Sequence, residues 1–203
     1  MKNASRVSPG LASSLLVLVA ILSALPLMYS RASGNPSVQV ITMLVSMGLV
    51  FYASHPLGHY FMARAYGVGT EYFFVGRSDF RKLTLRPMSL VGALVPTIGT
   101  KLNKGELASL PPRKRGYVLG AGVIVSNALV GIQLAYVLVA GFTLPAALLG
   151  TLFFLGTVAT ELMFSTKVGD LGKMRRELEA KSLAAPSPVT RRRARPPTPR
   201  SPP

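Results

Sequence analysis

Uncharged and charged residues alternate in long blocks along this chain. Residues 11–29 (LASSLLVLVAILSALPLMY) carry no charge and are long enough to cross roughly 30 Å of hydrocarbon as a helix. Residues 38–63 are likewise free of formal charge and predict a second span over about 38–60. Residues 116–160 are uncharged too, yet one helix of that length would be about 68 Å long at 1.5 Å per residue, more than twice a bilayer core. Gly141-Phe142-Thr143-Leu144-Pro145 supplies the break, which predicts spans near 117–140 and 145–165 joined by a tight turn. The expectation is an all-α membrane protein of four transmembrane helices.

The long charged block between spans two and three has its own pattern. Val68–Val75 and Leu83–Leu90, flanked by glycine and charge, read as short strands. Residues 87–100 (PMSLVGALVPTIGT) are apolar but too short to span, and read as a strand pair or re-entrant element at the interface. This loop supplies the small strand-containing element expected on the cytoplasmic side. From 176 to 203 a basic Pro/Arg-rich segment cannot bury a core and reads as a disordered tail, leaving residues 1–175 as the membrane domain.

Composition agrees with this reading: 49% hydrophobic, 15% charged and no cysteine, so neither disulfides nor thiolate chemistry enter. The formal charge of +16 could suggest nucleic acid, but lysine and arginine cluster beside the apolar blocks, as in loops facing anionic headgroups. No nucleic-acid partner is expected; the expected partner is membrane lipid. Arg64, Arg77, Arg81, Lys82, Arg86, Lys101, Lys104, Arg113, Lys114 and Arg115 fall between spans two and three, and the tail after span four is equally basic. Arg31 alone lies between spans one and two, and no basic residue lies between three and four. The positive-inside rule then puts both termini in the cytoplasm. Lys2 and Arg6 before residues 11–29 could also open a signal peptide, but the apolar stretch is long and Arg31 suits no cleavage site, so an uncleaved first span is expected.

The chain's two histidines stand one helical turn apart in His55-Pro56-Leu57-Gly58-His59, at the end of span two. Positions i and i+4 share a helix face, so both imidazoles can reach one metal ion. A catalytic zinc site takes three protein ligands and leaves one position for water. Asp170 follows the cytoplasmic end of span four, at the depth of the histidines, and is the expected third ligand. Glu161, within span four, is the next candidate, since an intramembrane acid needs a partner.

This order of motifs resembles the site-2 protease family of intramembrane zinc metalloproteases over roughly residues 38–175. HPLGHYFMARAYGV (55–68) is similar to the family's H-E-x-G-H helix with its Gly-Val ending. KRGYVLGAGVIVSNAL (114–129) is similar to its A-G-P-x-x-N segment through Ala121, Gly122 and Asn127, with Val123 at the proline. Asp170-Leu171-Gly172 stands where the family has its aspartate ligand. The resemblance implies one zinc ion on His55, His59 and Asp170, a substrate backbone held near Asn127, and a transmembrane segment of another protein as substrate. It also exposes a departure: the family's general base is a glutamate beside the first histidine, and here that residue is Pro56. Proline has no acid–base chemistry, and it should kink or restart the helix. A positioned base contributes about 10²–10⁴-fold, so hydrolysis needs a substitute, for which Glu161 is the candidate. The alternatives are a non-hydrolytic relative that binds membrane segments, a small proton- or metal-handling transporter or assembly factor, or histidines that merely bond neighbouring helices.

Overall fold

The computed structural model describes residues 5–77, 96–162 and 169–184. In chain order these form β1 (Ser5–Val7), α1 (Pro9–Leu22), α2 (Ala24–Ser33), α3 (Pro36–Ala65), β2 (Thr70–Arg77), β3 (Pro96–Leu102), α4 (Lys104–Ser109), α5 (Pro112–Val139), α6 (Leu144–Thr160) and α7 (Asp170–Ala184).

Among the described residues, three helical stretches are long and apolar enough to cross a membrane: Pro9–Ser33, Pro36–Ala65 and Pro112–Val139. The fourth expected span corresponds to α6, a shorter apolar helix of 17 residues. Many large apolar side chains on these helices face outward, among them Leu18 and Ile21 of α1, Ile132 of α5 and Leu152 of α6. In water such a surface would be costly; in hydrocarbon it is what a helix presents.

The first expected span is two helices. Pro26 has no N–H to give to Leu22, and the chain breaks at Ser23, which is fully buried. Neighbouring side chains meet the polar groups there. Ser46 of α3 donates to the Ser23 carbonyl, Ser23 Oγ donates to Ala20 at 2.6 Å, and Gln133 Nε2 of α5 donates to Ser46 Oγ at 3.1 Å. Asn35 opens α3, its side chain accepting from the N–H groups of Ser37 and Val38 with Pro36 behind it. Of the kink or restart expected at Pro56, the restart does not occur: α3 continues through it to Ala65.

The apolar core runs between α2, α3, α5 and α6, where Met43 and Met47 meet Val130, Leu134, Val137 and Ala146. The sheet differs from expectation. Among the described residues it has three antiparallel strands in the order β1-β2-β3, so the segment ahead of α1 joins it, with Arg6 opposite Phe74 and Phe74 opposite Gly99. Nothing in the sequence reading anticipated β1. Three residues of mixed polarity carry no period, and only the partner strand defines them. The strand over Thr70–Arg77 matches the one expected over 68–75; the one expected at Leu83–Leu90 lies outside the described residues. Pairing β1 with β2 brings the start of α1 and the end of α3 to one end of the bundle. The tail was expected from 176, but α7 remains helical through Ala184, its residues bearing on the Gly116–Gly120 face of α5.

A candidate metal centre where three helices meet

His55 and His59 occupy the last turns of α3, and their rings stand edge to face with centroids 5.2 Å apart. The glycines around them set how near α5 can come. A Cβ on Gly58 would lie 2.6 Å from the Ala121 carbonyl oxygen, and one on Gly122 would strike the His59 ring. Without side chains at those two places, the backbones of α3 and α5 meet. His59 Nδ1 therefore reaches the Val118 carbonyl at 2.9 Å. A carbonyl only accepts, so Nδ1 carries the proton and Nε2 of a neutral ring is left with its lone pair.

Asp170, beyond α6, opens α7, where a carboxylate in the first turn also suits the helix dipole. Close packing brings α7 there. Met174 fills the space over Gly120, Leu178 lies against Gly116, and Glu177 pairs with Arg115 at 3.5 Å.

The result is a convergence on one oxygen. Asp170 Oδ2 lies 3.0 Å from His59 Nε2 and 3.4 Å from His55 Nε2, while Oδ1 accepts from Lys173 at 2.9 Å. Burial of Asp170 opposes its ionisation. Hydrogen bonds with His55 and His59, and the charges of His59 and Lys173, outweigh that and hold the carboxyl well below the usual carboxylate range. With both nitrogens protonated the His59 ring donates to that carboxylate; with its proton on Nδ1 alone it would set lone pair against lone pair, and a metal ion would then lie between them.

The donor set suits a metal. Two imidazoles and a carboxylate offer one ligand atom each, all within 4.8 Å of one another. Bonds of about 2.0–2.2 Å in a tetrahedral zinc site put neighbouring ligand atoms about 3.3 Å apart, close to the two separations at Asp170. The Val118 carbonyl behind His59 is the outer partner that metal-bound histidines ordinarily have.

No family model, curated protein or solved structure matches this chain. Its reading therefore rests on the geometry.

The remaining expected residues divide. Glu161, just past the end of α6, does approach: its Oε1 is 3.9 Å from His55 Nδ1. That nitrogen is on the opposite edge of the ring from the one facing Asp170. Asn127 sits two turns along α5 from the site, with its amide donating at 2.9 Å to the Val123 carbonyl of its own helix. Its Oδ1 is buried without a hydrogen-bond partner among the described residues. Two participants escaped the sequence reading. The Val118 carbonyl is invisible there because every residue has one. Thr100 of β3 donates from Oγ1 to the Pro56 carbonyl at 3.0 Å, which ties the sheet to the histidine turn, and nothing in the sequence marks that threonine.

Proposed function

We propose that this chain is an integral membrane zinc-binding protein built on a site-2 protease-like plan, with His55, His59 and Asp170 holding one zinc ion. The observation that carries this is the meeting of both Nε2 atoms at Asp170 Oδ2, with the proton of His59 committed to Val118 on the other edge of its ring. A zinc ion bound there would make a coordinated water more acidic and polarise a substrate carbonyl. The chain's own residues do the rest. His59 and Asp170 are held in place by Val118 and Lys173, while the glycine contact of α3 with α5 keeps the site narrow.

The plan is four spans with both termini cytoplasmic and the basic segments on anionic headgroups. The substrate is a transmembrane segment of another protein, met near the cytoplasmic face. Pro56 stands where the plan calls for a base, so the proposal is a slow peptidase, about 10²–10⁴-fold below a site that has the glutamate. The same proline favours a second reading, a non-hydrolytic relative that binds membrane segments through the same site.

Metal analysis of the purified protein and of His59→Ala tests the centre. About one zinc per wild-type chain and little in the variant supports it; equal zinc in both removes it. Incubation with membrane peptides, comparing wild type, Pro56→Ala and Pro56→Glu, separates the two readings. Slow cleavage by wild type supports the peptidase, while cleavage by Pro56→Glu alone marks the non-hydrolytic relative.

A further inference from the structure

We infer that Glu161 is a positioning residue for His55. It takes the Nδ1–H of that ring and so holds the ring's Nε2 toward the place it shares with His59 and Asp170. This rests on the metal-binding reading and assigns Glu161 a role other than the base.

The argument starts from the matching situations of the two rings. Each histidine turns Nε2 to Asp170 Oδ2, at 3.0 Å for His59 and 3.4 Å for His55. Each turns Nδ1 to an oxygen on the other edge: the Val118 carbonyl at 2.9 Å for His59 and Glu161 Oε1 at 3.9 Å for His55. The separation of 3.9 Å exceeds a direct hydrogen bond by about 1 Å. Rotation of the Glu161 side chain by about 1 Å closes it to a direct bond. Both side chains are largely shielded, His55 at 26% and Glu161 at 17% exposure. An acid at the end of an apolar helix is costly without a partner, and the His55 ring is the donor beside it. Glu161 meets the ring at Nδ1, away from the Nε2 that faces Asp170, so the carboxylate addresses the imidazole. Carboxylate–histidine pairs of this kind fix the tautomer and make the ring a better ligand, and losing the outer partner costs about 10–100-fold in metal affinity.

The test uses the full chain in detergent, with zinc affinity measured by chelator competition and the cobalt(II)-loaded protein read by its visible absorption. Glu161→Leu should bind zinc about 10–100-fold more weakly and shift the cobalt bands. Glu161→Gln keeps an oxygen acceptor, should fold as wild type does, and should recover most of the affinity. The inference is overturned if wild type binds zinc and Glu161→Leu matches it in affinity and spectrum. It is also overturned if Glu161→Gln leaves both unchanged but abolishes peptide cleavage, since Glu161 is then the base. Wild type that takes up neither metal overturns the metal-binding reading itself, and this inference with it.

Discussion

At His59 one ring nitrogen meets a carbonyl and the other a carboxylate, and the order of those two neighbours decides where its proton goes. His59→Ala should therefore lower bound zinc from about one per chain to near zero, as measured by elemental analysis. Asp170→Asn keeps the size of the side chain but trades the anion for an amide. It should weaken zinc by at least the 10–100-fold that outer-partner losses cost, as read by chelator competition. Lys173 is a different case. Its ammonium meets Oδ1 at 2.9 Å but is 47% exposed, so Lys173→Ala should change stability by less than about 1 kcal/mol in thermal unfolding. A larger loss would mean that Lys173 holds α7 in place, not merely the carboxylate. The histidine pair and Asp170 were legible in the sequence because few residue types bind metals and these three are rare at membrane depth. The tautomer was not, because it depends on a backbone carbonyl.

Between elements, the site depends on how closely α3 and α5 pack. Gly58 faces the Ala121 backbone, and Gly122 leaves room for the His59 ring. A methyl at either place has no flexible side chain to displace except the histidine itself. Gly58→Ala should cost about 1–3 kcal/mol and Gly122→Ala should weaken zinc binding more than it lowers the melting temperature, because its clash falls on the ligand. Thermal unfolding and zinc titration of the two variants check this together; wild-type zinc affinity in Gly122→Ala would contradict it. Away from the site, Ser46→Ala removes the bond to the broken turn at Ser23, where bonds between membrane helices average about 0.6 kcal/mol and reach about 1.7. Glycines in an apolar helix announce that something comes near. They do not say what, and here one glycine receives a backbone, one a ring and one, Gly120, the sulfur of Met174.

Across the whole molecule, strand pairing and the Asp170 contacts gather distant segments at one end. Residues 5–7, 70–77, 96–102 and the start of α7 all lie there. The proposed topology puts that end in the cytoplasm, and the chain's lack of cysteine makes it directly testable. Single substitutions in intact cells or sealed vesicles should label as follows: Asn35→Cys and Gly141→Cys from the outside only, Asn103→Cys from the cytoplasmic side only. Labelling of Gly141→Cys from the cytoplasmic side would mean that α5 does not cross.

By itself the sequence determined the apolar stretches, the turns between them and the identity of the metal-capable side chains. Those depend on composition and short-range period, which a linear reading contains. Tertiary structure decided everything that needs two segments to meet. It recruited Ser5–Val7 to the sheet, carried α3 through Pro56 and brought Asp170 at the start of α7 against His55 and His59. It also set Glu161 behind His55. Each outcome turns on which surfaces can approach closely enough to exchange a hydrogen bond or share an ion, and only the packed chain defines those distances.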